Sequence, residues 1–185
     1  NGFTSLMYDG SRKPLSQNID ETAAIAEMAH DAGISCEGEI GFVGYANGDN
    51  STGTDPEEAA RFARDSGVDA MAISCGNVHL QEDKQGGLDV ARIKAIEAVT
   101  ELPLVIHGGS GVPVAQRAQL AAESRICKFN IGTELRMAFG QALRAAVTAD
   151  ATRFDRVQIL RETADPVKAA AMRVISAFGA PDLRT

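Results

Sequence analysis

The chain has 185 residues, 44% of them hydrophobic and 23% charged, a balance that suits one soluble globular domain with a substantial core. Aromatic residues make up 5% and Trp is absent, so that core must be mostly Ala, Val, Ile, Leu and Met. The net charge of -7 speaks against non-specific nucleic-acid binding, and no apolar run approaches the ~18 residues of a membrane helix.

Residues 3–8 (FTSLMY) read as a strand that ends in Asp9-Gly10-Ser11. The chain begins at Asn1-Gly2 without Met and enters this strand almost at once, which reads as a truncated or cleaved start. Residues 17–32 form a predicted helix with Ile19, Ala23, Ala26 and Ala29 among its apolar positions and Gly33 closing it. A second strand covers 34–40 (ISCEGEI), followed by a polar, glycine-rich loop. Asp55-Pro56-Glu57-Glu58 then opens a helix, with Asp55 as N-cap, Pro56 in the first turn and acids near the positive end. Gly67 ends that helix, and 68–75 (VDAMAISC) is a third strand.

A loop from Gly76 to Asp89 leads to a helix over about 90–99. Pro103 to Ile106 is a fourth strand that runs into His107-Gly108-Gly109-Ser110-Gly111. Pro113 starts a helix to about Glu123, and 125–131 (RICKFNI) is a fifth strand. Helices over roughly 133–149 and 166–178 complete the chain. Repeated βα units imply parallel strands joined by helices. Doubly wound sheets and barrels both fit this pattern.

Cys36, Cys75 and Cys127 are odd in number, far apart and without a CxxC, which fits reduced thiols in the cytoplasm. Each lies in or beside a predicted strand, so burial as packing residues is expected, with a metal-ligand role as the alternative.

The chemically unusual residues follow strands. Asp9 follows the first, Glu37 and Glu39 end the second, His79 follows the third, His107 the fourth, and Asn130 and Thr133 the fifth. Function in parallel α/β folds gathers at the carboxyl ends of the strands. Of the three histidines, His30 sits inside a helix and reads as structural. Two strand-end imidazoles and a carboxylate make a zinc-type donor set when geometry permits. Glu37 and Glu39 are two apart on a strand and share a face; an exposed strand end is the bland alternative to a buried pair that needs a cation or donors. HGGSG at 107–111 has the glycines, hydroxyl and following helix of a phosphate cradle, although such a run is often a simple turn. Asn130 and Thr133 form a second candidate donor set.

DGS at 9–11, CEGEIG at 36–41, TDPEEAARF at 54–62, GNVH at 76–79, LVIHGGSGVP at 104–113 and KFNIGTELR at 128–136 together resemble the class II, metal-dependent fructose- and tagatose-bisphosphate aldolases. They occur in that family's order and cover most of the chain to about Leu143. The resemblance implies a TIM (β/α)8 barrel, incomplete in this chain. Residues 1–185 would be a single domain holding about strands four to eight, with the N-terminal strands absent. It implies His79 and His107 as zinc ligands, Glu39 as a metal-site carboxylate, Glu37 as its support and Asp9 as a further supporting residue. Gly108, Ser110, Asn130 and Thr133 correspond to groups that hold the phosphate and dihydroxyacetone part of the substrate. The implied cofactor is Zn2+, with a second metal or a monovalent cation as a further option.

The implied reaction is reversible cleavage of a ketose 1,6-bisphosphate into dihydroxyacetone phosphate and an aldehyde, a lyase step of carbohydrate metabolism and glycolysis. The proton-transfer aspartate and a third zinc histidine would lie upstream, so this chain alone is expected to be inactive. The expected partner is a phosphorylated ketose, with a homo-oligomer at full length, in the cytoplasm. Departures from the family pattern are Arg12 in place of a frequent His, Leu80 in place of a usual Gly, and a loop at 44–50 without the usual glutamate pair. Gly132 stands where fructose-type members often carry Asp, which favours a tagatose-like or other ketose. The alternative is a non-catalytic barrel fragment that binds phosphate or an assembly partner.

Overall fold

The computed structural model describes residues 2–44, 48, 50–78 and 87–179. They fall into two compact units, residues 1–130 and 131–185. The first unit is built on five parallel strands: β1 (Ser5–Tyr8), β2 (Ser35–Ile40), β3 (Ala70–Ile73), β4 (Leu104–Ile106) and β5 (Ile126–Phe129). Four helices alternate with them: α1 (Leu15–Asp31), α2 (Pro56–Asp65), α3 (Val90–Glu97) and α4 (Val114–Glu123).

The strand order is sequential, β1-β2-β3-β4-β5, and every pairing is parallel. A doubly wound sheet reverses its strand order at a switch point, and this sheet does not. With right-handed crossovers, sequential order stacks all helices on one face and curls the sheet away from them. Contacts across the other face measure that curl. Glu37 on β2 meets Lys128 on β5, two strands further on than its neighbour β3, with 2.7 Å between Oε2 and Nζ. Strands lie ~4.8 Å apart, so three intervals of a flat sheet would span more than these side chains can bridge comfortably. The sheet is an arc of a barrel.

Its two faces differ in chemistry. The helix-side face supplies Cys36, Ile40, Met71, Ile73, Leu104, Ile106 and Ile126 to the apolar core, where they pack on Ile19, Phe62, Ile93, Ile96 and Leu120 of the helices. The alternate positions point inward. Register pairs Glu37 with Ala70, Glu39 with Ala72, Ala72 with Val105, and Val105 with Lys128. Gly38, between the two glutamates, faces the helices: a Cβ there would lie 2.8 Å from Phe62 Cζ and 3.0 Å from Thr22 Cγ2. Glycine at this position lets α1 and α2 close over β2 while both carboxylates stay on the inner face.

The helix starts follow the sequence. The Asp55 carboxylate accepts from the Glu57 and Glu58 amides at 2.9 and 3.1 Å, with Pro56 in the first turn. Asp89 caps α3 by accepting from the Arg92 amide at 2.9 Å.

The second unit is a pair of packed helices, α5 (Thr133–Ala149) and α6 (Arg156–Ala177). The expected start of the last helix, near residue 166, is corrected by the structure. α6 begins ten residues earlier, behind an Asp155 cap that accepts from the Val157 amide at 2.8 Å, and Pro166 lies inside it. Proline favours a first turn, but it is tolerated within a helix at the loss of one ladder bond.

Candidate active site

The carboxyl ends of β2, β3 and β4 are tied together by buried polar side chains. Thr54 donates its hydroxyl to the Ile40 carbonyl at 2.6 Å and accepts from the Ser74 amide at 2.8 Å. Asn77, 2% exposed, accepts from the Cys75 amide at 2.7 Å and donates to the His107 carbonyl at 2.9 Å. Asn18 of α1 donates to the Glu39 carbonyl at 2.9 Å. These bonds fix the backbone beneath the glutamates and the histidine.

On that support sits a buried cluster. His107 leaves β4 with its ring nearly enclosed. Its Nε2 lies 3.0 Å from Glu37 Oε1, and its Nδ1 lies 2.9 Å from Glu39 Oε2. Lys128 holds the other oxygen of Glu37. The side chains of Ala70 and Ala72, in register with the glutamates, are small enough to let both carboxylates reach across β3 to the imidazole. The expectation that Glu37 and Glu39 share one face is met, and the face is the inner one.

The electrostatics follow from burial and contact. Burial alone would raise the Glu37 carboxyl, but the bonds from His107 and Lys128 outweigh it and hold it below the usual carboxylate range. Burial would lower His107, and its bonds to Glu37 and Glu39 push it up to about 9. Imidazole and carboxylate are both ligands of divalent ions, so Glu39 and His107 fit a metal as two members of a donor set. Among the described residues no three His, Cys, Asp or Glu side chains are arranged to hold one. His79 and Leu80 lie outside the described residues, as do residues 45–47 and 49 of the loop at 44–50.

The loop after β4 turns sharply. Gly108 adopts φ 64°, a left-handed conformation, and Gly109–Gly111 form one 3-10 turn before α4. Ser110 is buried within that turn. The Gly109 amide donates to the Asn130 carbonyl at 3.1 Å, and the Asn130 amide donates to the Ile106 carbonyl at 2.8 Å. Gly108, Ser110 and Asn130 therefore belong to one pair of joined strand ends. Thr133 opens α5 in the second unit, where Arg136 donates to its hydroxyl at 3.2 Å.

Asp9 is exposed, and its carboxylate accepts from the Ser11 amide and hydroxyl at 3.0 and 2.6 Å, which makes it a turn residue of the β1–α1 loop. Arg12 stacks on the Phe42 ring, 4.1 Å from its centroid. Reasoning from sequence missed Asn18, Thr54, Ser74 and Asn77. The only available signal was that Thr54 and Asn77 fall inside the quoted motifs.

The family model of class II fructose-bisphosphate aldolase matches residues 1–182. A fructose-bisphosphate aldolase of Geobacillus stearothermophilus is 34% identical over 96% of this chain and 63% of its own length. A 6-phospho-5-dehydro-2-deoxy-D-gluconate aldolase of Shouchella clausii is 37% identical over 97% of this chain and 62% of its own. The crystal structure of the YdjI aldolase from Escherichia coli K12 superposes with a TM-score of 0.75 at 31% identity, covering 98% of this chain and 62% of that one. A fructose-bisphosphate aldolase of Campylobacter jejuni, at 22% identity, has a TM-score of 0.76 over 96% of this chain and 60% of its own, a likeness that bears on the fold alone. The chain thus spans a little over three-fifths of the length of these relatives, as a partial TIM barrel. Motifs, strand order and matches converge, and the chain belongs to the class II fructose-bisphosphate aldolase family.

Proposed function

We propose that this chain carries the metal-binding and phosphate-binding half of an aldolase that reversibly cleaves a ketose 1,6-bisphosphate, of fructose or tagatose type, into dihydroxyacetone phosphate and an aldehyde. The observation that carries the reading is the buried Glu37–His107–Glu39 cluster at the carboxyl ends of the strands, in a chain of this family. Gly132, in place of an acidic residue, leans toward a ketose other than fructose.

Glu39 and His107 would hold a divalent ion, with His79 as a further ligand from the motif match; zinc suits this donor set, and a second or monovalent cation is a further option. When bound, the ion supplies Lewis-acid polarisation of the substrate ketone. Glu37 keeps a proton on His107 Nε2 and so presents Nδ1 toward Glu39. Gly108, Ser110 and Asn130 offer backbone and side-chain donors for the phosphorylated end of the ketose. Thr133 carries the same assignment from the motif match alone, and Asp9 a supporting one. Such an enzyme acts on a small phosphorylated metabolite in the cytoplasm, as a homo-oligomer at full length. No helix among the described residues is long and apolar enough to cross a membrane.

The test is release of dihydroxyacetone phosphate from fructose and tagatose 1,6-bisphosphates, by the 185-residue chain and by a chain extended upstream to the length of its relatives. Cleavage by the longer chain, abolished by a chelator and restored by zinc, is the expected result. Cleavage that survives chelation and is trapped by borohydride would replace this reading with a lysine Schiff-base mechanism.

A further inference from the structure

The inner face holds a lysine that the proposed reaction does not use. Lys128 is in register with Val105, which turns its side chain onto the face that carries Glu37. Its ammonium lies 2.7 Å from Glu37 Oε2. Glu37 Oε1 is the oxygen that meets His107 Nε2 at 3.0 Å. The two oxygens of one carboxylate are thus divided between a lysine on β5 and the histidine after β4.

We propose that Lys128 is a positioning residue: it locks the Glu37 carboxylate so that Glu37 in turn fixes the His107 ring and leaves Nδ1 on the ligand side. The inference rests on the aldolase reading for its purpose, and on this geometry alone for its existence. Glu37 is 10% exposed in its side chain and Lys128 is 49% exposed. The lysine therefore keeps much of its hydration while neutralising a carboxylate that water hardly reaches. A carboxylate with one free oxygen turns about its terminal torsion, which is broad and roughly two-fold. One held at both oxygens does not. The same contact argues against Lys128 as a nucleophile, because an ammonium donating to a carboxylate offers no lone pair to a carbonyl.

The experiment compares Lys128→Met and Lys128→Arg with the parent chain. Zinc affinity is read by competition with a chromogenic chelator, independent of turnover. Loss of a supporting partner behind a metal histidine weakens metal binding on the order of 10–100-fold, and K128M should fall in that range while K128R, which keeps a cation in place, stays within a few-fold of the parent. The second readout is the ring N–H signal of His107 in metal-free, 15N-histidine-labelled protein. With three histidines in the chain, it is assigned by its loss in H107N. That signal should exchange with water or shift in K128M and return in K128R. K128M with parental zinc affinity and an unchanged His107 signal would overturn the proposal. So would K128R failing as fully as K128M, or covalent capture of a ketose phosphate on Lys128 by borohydride. Should K128M not fold, K128R alone decides, since it must keep both readouts. If the chain extended upstream cleaves no ketose bisphosphate, or the parent chain holds no zinc, the functional reading falls, while the His107 signal still tests Lys128.

Discussion

Burying two carboxylates beside one imidazole is costly unless each is paired and hydrogen-bonded. Glu37 and Glu39 meet that condition through His107 and Lys128, and the carboxylates and the imidazole are themselves metal-ligand groups. Ser110 belongs to a different task. It sits in the turn after His107, is 5% exposed, and is not among the residues assigned to the metal. Ser110→Ala, in the chain extended to full length, should weaken ketose-bisphosphate binding by about 1.5–3 kcal/mol, the value of a hydrogen bond to a charged group, and leave zinc content unchanged. Titration of binding alongside metal analysis checks this; an unchanged Michaelis constant together with lost zinc would show Ser110 to be part of the metal site. At this scale the sequence was most informative where spacing is local. The Glu-x-Glu alternation predicted a shared face, and the strand-end position of His107 predicted its place. Asn18, Asn77 and Thr54 were silent, because an amide or hydroxyl reveals its role only through a partner 14 to 30 residues away.

Between elements, one carboxylate joins three pieces at the opposite end of the strands. Asp69, just before β3, accepts from the Cys36 amide on β2 at 2.7 Å and meets His30 Nε2, near the end of α1, at 2.9 Å. The Cys36 amide, and then His30, hold the Asp69 carboxyl below the usual range. A carboxyl lowered by folding contributes stability that is present above its unfolded value, near 3.9, and is lost as pH falls through the lower folded value. Asp69→Asn should therefore be less stable than the parent at neutral pH and converge with it on acidification below about pH 4. Both partners are about half exposed, so screening limits the difference to on the order of 0.5–1 kcal/mol. Urea midpoints between pH 3 and 7 decide it, and parallel curves would refute the assignment. His30 thus does carry a structural role, as its helical position suggested. Helix starts are legible in proportion to their caps: Asp55-Pro56 marks the start of α2, whereas Asp155 lies in a polar stretch that hides the start of α6, ten residues before the expected one.

Across the whole sheet, sequential strand order leaves β1 and β5 as its edges among the described residues, and the edges explain the one cysteine that sequence misplaced. All three thiols were expected to be buried, yet Cys127 is exposed while Cys36 and Cys75 are not. The β4–β5 register pairs Leu104 with Ile126 and Val105 with Lys128, a shift that leaves Cys127 without an opposite residue. A bulge of this kind takes its extra residue out of the alternation, and no residue in RICKFNI announces it. The same shift brings Lys128 onto the inner face, so the exposed thiol and the lysine that grips Glu37 have one cause. Burial, and then Asp89, push the Cys75 thiol up to about 12; burial, followed by Asp69 and Glu37, also raises Cys36. Since the thiolate is the reacting form, Cys36 and Cys75 are shielded twice, by access and by protonation. Native protein at pH 8 should therefore release one thiol equivalent to an aromatic disulfide reagent within minutes, and all three only in denaturant. Cys127→Ser should abolish the fast phase. Two or three fast equivalents would mean that the helix layer does not cover β2 and β3 as described. No fast equivalent would mean that β5 is covered in solution, by a second copy or by the rest of a longer barrel, and the fast phase would then return on dilution in the first case but not in the second.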